Sequence, residues 1–403
     1  MVSEPPFSGL KVIDCGSYIA APAATTILAD LGADVIKIEP PGAGDPYRQL
    51  PKLPGNPVSE HDYAWLLDAH SKRGLALDLA SAEGQEVVHR LVAGADVFVT
   101  NYPLRVREKL HVDYETLSAL NDRLVYGSFT GYGETGPEAA KPGFDATAYW
   151  ARSGMMDQVR NSHEATPARA VVGQGDHPAA MSLYAGLVTA LLQRERTGKG
   201  TKVSSSLLAN GLWANSYLAT AALCGAEFIP RPPRESLFNA LSCHYQAADG
   251  KWLLLTILNE DRYWPVLARC LEREDLLTDE RFTTKPDRLR NAHALIATLD
   301  EAFGRHERAH WEQVLGENGV IFDIVATPAD IAHDEQMRAN GLAVAFPEDE
   351  RVSTVAIPFR LANLSTVPPR LPPSIGQHTD DVLAELGYDA DRIAALRAAG
   401  TVA

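Results

Sequence analysis

Short apolar runs alternate with helix-length segments from the start of the chain, and no other feature constrains the fold as strongly. Leu10-Lys11-Val12-Ile13-Asp14 reads as a strand, Pro22 to Leu31 as a helix opened by proline, and Asp34-Val35-Ile36-Lys37-Ile38-Glu39 as a second strand. A helix between two strands carries the chain back to the end it started from, so the strands it joins run parallel. The alternation continues with a helix over Ser81 to Ala93, a strand over Asp96 to Thr100, a helix over Tyr114 to Asn121 and a strand over Leu124 to Phe129. A parallel sheet covered by helices on its faces, hence an α/β fold, is expected.

The turn after the first strand, Cys15-Gly16-Ser17-Tyr18, lacks the glycine triplet that brings a backbone against a dinucleotide pyrophosphate, so a nicotinamide or flavin site is not supported there. Two apolar segments follow, Pro178 to Gln193 and Ser204 to Leu223, separated by Arg194-Glu195-Arg196-Thr197-Gly198-Lys199-Gly200. The uncharged stretch Val203 to Ala226 has the length of a bilayer span, but its serines and asparagines are too polar for hydrocarbon; a buried or dimer-facing helix is expected. Pro230-Arg231-Pro232-Pro233-Arg234 breaks regular structure and opens a second domain, with a strand at Leu253 to Ile257 and helices over Arg262 to Glu272 and Ala292 to Phe303. Pro328 and the proline-rich stretch Pro368 to Pro373 mark linkers, and a helix over Thr379 to Leu386 lies near the end.

Charge narrows the function. Thirty-seven Lys and Arg against 52 Asp and Glu leave −15 over 403 residues, which argues against a nucleic-acid partner. The opening MVSEPPFSGLKVID has no basic segment followed by an apolar one, so a cytoplasmic protein without membrane association is expected. Cys15, Cys224, Cys243 and Cys270 show no metal-site spacing and read as buried thiols. No HExxH, GxSxG or GxxxxGK[ST] string is present, and His306 and His310 lie in a polar segment, so no metal site is assigned.

One string stands out: Gly173-Gln174-Gly175-Asp176-His177-Pro178, a carboxylate after two glycines and before a helix. The glycines would let a ligand approach closely, and neighbouring backbone N–H groups would stabilise an oxyanion or thiolate, making Asp176 a covalent nucleophile. The same position suits a helix N-cap, and from spacing alone both roles stand.

Several ordered segments together resemble the class III CoA-transferases. They are Leu28 to Glu39, His70 to Leu79, Asn101-Tyr102, Gly131-Tyr132-Gly133 with Gly136-Pro137, Gly175-Asp176, Arg196 to Gly200 and Gly376 to Leu383. The resemblance implies a Rossmann-like large domain over residues 1–225, a smaller α+β domain over 226–325, and a C-terminal segment, 326–403, returning to the large one. It also implies a homodimer of interlocked rings, with acyl-CoA and a free carboxylic acid as substrates, coenzyme A as carrier, and no tightly bound cofactor. Asp176 falls on the family's catalytic aspartate, which implies CoA transfer through an aspartyl anhydride and an aspartyl-CoA thioester.

The related 2-methylacyl-CoA racemases place a histidine before an aspartate where this chain has Gly143-Phe144-Asp145. Phenylalanine cannot move a proton, so the resemblance favours transfer over the alternatives, racemisation or a noncatalytic CoA-binding subunit. Matched CoA-contact positions are Leu77, Asn101, Tyr102 and Lys109, with Lys72, Arg73 and Arg105 as further cations for the phosphates. Tyr18 and Phe144, along with Trp65, Trp150 and Asn239, are candidates for the acyl pocket, and a succinyl-CoA donor is the favoured guess.

Overall fold

The expected alternation is present in the computed structural model of the chain, which describes residues 4–364 and 366–403. In order come β1 (Lys11–Asp14), α1 (Ala20–Asp30), β2 (Asp34–Glu39), α2 (Tyr63–Asp68), β3 (Arg73–Ala76), α3 (Ala82–Ala93), β4 (Val97–Thr100), α4 (Leu104–Lys109), α5 (Tyr114–Leu120) and β5 (Val125–Thr130). After a short helix, α6 (Met155–Gln158), the long α7 (Asp176–Thr197) leads into β6 (Thr201–Ser206). The strands form one sheet in the order β3-β2-β1-β4-β5-β6, every pairing parallel. The chain moves outward from β1 on one side and from β4 on the other, so the loops leaving these two neighbours diverge. In such sheets that divergence opens a crevice at the carboxyl ends of the strands, where ligands bind.

Residues alternate between two cores, as strand geometry requires. Val12, Val35, Val97, Val99 and Val125 pack with α1 and α7 on one face. Ile13, Ile36, Ile38, Phe98 and Tyr126 face α3 and the two C-terminal helices, Thr379–Glu385 and Ala390–Ala398, on the other. Ser81 caps α3 by accepting from Gly84 N, and Gly198, in the left-handed region at φ 73°, ends α7.

Under the β1–α1 loop lies a buried charge network that periodicity does not reveal. Asp14, fully buried, accepts from Lys72 Nζ at 2.8 Å, Thr25 Oγ1 at 2.9 Å and Gly16 N at 3.0 Å, with Lys37 Nζ 3.8 Å away. Lys37 Nζ donates to Gly16 O at 2.5 Å and to Asp45 Oδ2 at 2.9 Å. Asp45 in turn accepts from Ser17 Oγ, Tyr18 N and Tyr47 N, and its own N–H donates to Glu39, which pairs with Arg48 through two hydrogen bonds. Three cations face three carboxylates, so the charges balance where solvent is absent.

The chain divides into two units: the first holds residues up to Met156, Arg169–Cys224 and Gln336–Ala403; the second holds Asp157–Ala168 and Gly225–Glu335. The second is built on a three-stranded antiparallel sheet, β7 (His244–Gln246), β8 (Trp252–Leu255) and β9 (Phe322–Ile324), backed by the helices Glu260–Cys270, Ala292–Phe303 and Arg308–Glu317 around a core containing Trp264, Phe303 and Trp311. Pro328 opens a one-turn helix there.

Two expectations fail locally. Val203 to Ala226 is not one helix: its start is edge strand β6, and Ser206 then caps a new helix, α8 (Leu207–Ala214), followed by α9 (Ser216–Leu223). A serine whose hydroxyl accepts from Ala209 N starts that helix, and an uncharged composition conceals the break. Of the cysteines, all free, Cys224 is exposed, while Cys15, Cys243 and Cys270 are buried as expected. No helix among the described residues is long and apolar enough to cross a membrane.

Burial pushes the Asp14 carboxyl up, but Lys37 and Lys72 beside it outweigh that effect and hold it at about 2. With its folded value below the ordinary one, Asp14 stabilises the fold above the usual carboxylate range and loses that contribution only as the pH falls through about 2. Asp14→Asn leaves two buried ammonium groups short of a counter-charge, and urea denaturation at pH 7 should show a loss of ~3–5 kcal/mol. A loss under ~0.5 kcal/mol would show that the network contributes little.

Candidate active site

Asp176 is the first residue of α7, and the flanking position is Gly175. The N-cap role is therefore not realised: the Asp176 carboxylate takes no hydrogen bond among the described residues. It stands instead at the N-terminal end of a 22-residue helix, where the helix dipole favours negative charge. Its surroundings oppose that charge. Burial, then the nearby carboxylates of Asp145 and Asp68, raise its pKa to about 7, with His177 pulling the other way. A carboxylate without hydrogen-bond partners, half out of water and raised in basicity, has the attributes of a nucleophile.

The loop before it is held from below. Asp145, buried, accepts from Gly173 N at 3.0 Å and Gly175 N at 3.5 Å. Gly173 is in the left-handed region at φ 84°, and a Cβ on Gly175 would lie 2.7 Å from Tyr149 Cγ. This corrects the expected role of the glycines: they seat the loop on Tyr149 and donate to Asp145, so their N–H groups are already committed and do not form an anion hole.

A second group, absent from the sequence reading, abuts Asp176. His177 Nε2 lies 3.1 Å from Asp68 Oδ1, its Nδ1 lies 3.0 Å from Gly173 O, and Tyr47 Oη donates to Asp68 Oδ2 at 2.6 Å. Burial lowers the His177 pKa, but the hydrogen bond and charge of Asp68 outweigh it and the net shift is upward. His177 adjoins Asp176 in the sequence and could have been noticed there; Asp68 and Tyr47 are over a hundred residues away and carried no signal.

The switch-point loops bring together several matched residues. Asn101, just past β4, clamps the β1 loop by accepting from Ser17 N at 2.8 Å and donating to Ser17 O at 2.7 Å. Tyr18, at φ 61°, meets Phe144 edge to face with ring centroids 5.7 Å apart, and Phe144 leads directly into Asp145. Tyr102 is half-buried, packed against the second core. Arg105 and Lys109 project, exposed, from α4 and form no ion pair among the described residues.

Other matched residues are placed inside the fold. Lys72 Nζ has all three donors occupied, by Asp14 Oδ2, Pro22 O and Asp68 O. Arg73 is bound to Asp34 and Glu385, Leu77 is 1 % exposed in the second core, and Trp65 is buried beneath the Arg48 guanidinium. Trp150 is half-buried beside Tyr149. The His306 and His310 rings stack 4.1 Å apart, but no three His, Cys, Asp or Glu among the described residues converge to hold a metal ion.

The model of the family described as CoA-transferase family III matches residues 7–379. An (R)-2-hydroxy-4-methylpentanoate CoA-transferase from Clostridioides difficile is 33% identical over 390 residues, 96% of each chain. A cinnamoyl-CoA:phenyllactate CoA-transferase from Clostridium sporogenes is 33% identical over 393 residues, 96% of this chain and 95% of that one. Among solved structures, a CAIB/BAIF family protein from Brucella suis superposes with a TM-score of 0.86 at 29% identity, covering 95% of this chain and all of that one.

A carboxyl raised to about 7 in the fold binds its proton more tightly there than in the unfolded chain, so it costs stability as the pH rises from about 4 to 7 and beyond. Asp176→Asn should therefore raise stability by ~1–3 kcal/mol at pH 8 and change it little at pH 4. Urea midpoints of the two proteins at both pH values check this; a gain equal at both would contradict the raised pKa.

Proposed function

The chain belongs to CoA-transferase family III, and on that premise we propose that it moves CoA from an acyl-CoA thioester to a free carboxylic acid with Asp176 as covalent nucleophile. The observation that carries this reading is the Asp176 carboxylate itself, unbonded at the start of α7 and raised in basicity. An Asp176 carboxylate oxygen attacks the thioester carbonyl carbon, the carbon–sulfur bond breaks, and CoA leaves as thiolate from a mixed anhydride. The thiolate attacks Asp176 Cγ, which releases the donor acid as carboxylate and leaves an aspartyl-CoA thioester. The acceptor carboxylate attacks the same carbon, releasing the thiolate again and forming a second anhydride. Attack of the thiolate on the acceptor's acyl carbon then yields the new thioester and regenerates the Asp176 carboxylate. No electrons are exchanged, and each intermediate must be kept from water for transfer to outrun hydrolysis.

The CoA phosphates are anions, and Arg105 and Lys109, exposed beyond β4 and unpaired among the described residues, suit them, while Asn101 fixes the neighbouring β1 loop through Ser17. Tyr18 and the largely exposed Phe144 offer the acyl group an apolar edge without a proton donor at position 144. That suits the branched-chain and aromatic 2-hydroxy acids named for the relatives as well as it suits succinate. A homodimer accords with the apolar side chains of Trp213, Tyr217 and Leu223 on α8 and α9, each at least 79 % exposed in the single chain.

Asp176→Asn should lower transfer with any usable donor and acceptor by roughly 10⁴-fold or more while leaving CoA affinity by calorimetry unchanged. Retained turnover would remove the nucleophile role. Exchange of the substrate's α-hydrogen with deuterium oxide, without transfer, would replace the reading with an isomerase.

A further inference from the structure

Both ring nitrogens of His177 face acceptors. Nε2 is 3.1 Å from Asp68 Oδ1, and Nδ1 is 3.0 Å from the Gly173 carbonyl oxygen, which has no proton to give. A neutral imidazole carries one N–H and would set a lone pair against one of these oxygens. The remaining way to satisfy both contacts with a neutral ring is a protonated Asp68, and its surroundings oppose that. The other Asp68 oxygen accepts the Tyr47 hydroxyl at 2.6 Å; Tyr47 Oη has no other acceptor among the described residues. The Lys72 ammonium lies on the Asp68 backbone carbonyl at 2.8 Å, adding positive charge on the same side. With both Asp68 oxygens facing donors and the Gly173 carbonyl on the other side of the ring, His177 carries both protons.

We propose that Tyr47 and Asp68 fix His177 as an imidazolium beside Asp176, making His177 a positioning residue whose charge keeps the nucleophile ionised and compensates the anions that gather there. The inference rests on Asp176 being the nucleophile. The need for such a charge follows from the local count. Asp68, from α2, and Asp145, below the Gly173–Gly175 loop, are both carboxylates acting on Asp176, and burial adds to them. The substrates bring a carboxylate, and the reaction releases a thiolate. The end of α7 and the His177 ring are the positive features at that point. The ring is one residue from Asp176 and 39 % exposed, held by two hydrogen bonds that fix its plane. Sequence adjacency alone would leave it free to rotate away; the chain from Tyr47 through Asp68 removes that freedom.

The test compares pH profiles of kcat/KM for the wild type, His177→Gln and Asp68→Asn, with thermal melts to establish folding. The acid limb, which reports ionisation of Asp176, should move up by about one pH unit in His177→Gln. The rate is then lost about tenfold on the acid side and recovered toward high pH, with kcat affected more than KM. Asp68→Asn removes both the His177 partner and one of the carboxylates that raise Asp176, so its limb should move up by less than that of His177→Gln. A folded His177→Gln protein whose acid limb is unmoved, or whose rate falls equally at every pH, overturns the proposal.

Nitrogen-15 NMR of the intact wild-type protein gives a reading independent of any variant's folding. The expected result is a ring protonated on both nitrogens at pH 8, above the ordinary histidine range; a neutral ring at pH 7 overturns the proposal. His70 shares the arrangement, between Asp30 and the Leu66 carbonyl, so the His177 signal is assigned by its loss in His177→Gln. An imidazolium signal together with the absence of any covalent adduct on wild-type Asp176 would overturn the nucleophile reading instead, so the two failures are distinguishable.

Discussion

The pairing of Asp14 with Lys37 and Lys72 inside the protein is the interaction on which the rest depends. In dinucleotide-binding sheets glycines shape the first turn; here charge does it. Lys37 reaches from β2 to the Gly16 carbonyl and to Asp45, and Asp45 holds Ser17 and Tyr18 in place, Tyr18 in a left-handed conformation that a tyrosine seldom adopts. Lys72 extends the support to the far side, donating to Pro22 at the start of α1 and to the Asp68 carbonyl at the end of α2. Asp68 then orients His177. One balanced cluster thus sets the loop at the switch point and one wall of the site.

The site joins two opposing demands. In the proposed transfer the Asp176 carboxylate must be basic enough to attack a thioester, and burial beside Asp145 and Asp68 raises its basicity. It must also be ionised when substrate arrives, which the start of α7 and His177 favour. The cost falls on stability: a raised carboxyl weakens the folded state at neutral pH.

Periodicity made much of the first unit legible. Valine and isoleucine alternate along β1, β2 and β4 into two cores, and proline, serine and glycine mark the helix ends, so these elements appear within a residue or two of their expected places. The stretch Val203–Ala226 was not legible in the same way, because absence of charge does not distinguish strand β6 from the helices after it. Lys37 and Lys72 carry no sequence sign of burial, since their partners come from other elements. The site was half legible. Asp176 stood out, with two roles open that only the position of Gly175 separates. Asp145 appeared only as the residue after Phe144, and Asp68 and Tyr47 could not appear, because a hydrogen bond spanning 109 residues is made by the fold and not by spacing.

The most direct test of the central claim is peptide mass spectrometry of the intact protein mixed with a pool of acyl-CoA thioesters and trapped with hydroxylamine or borohydride. The account predicts modification at Asp176 alone, and the donors that produce it identify the usable substrates. A protein that binds CoA yet remains unmodified at Asp176 with every donor, or one labelled at a different residue, would contradict it.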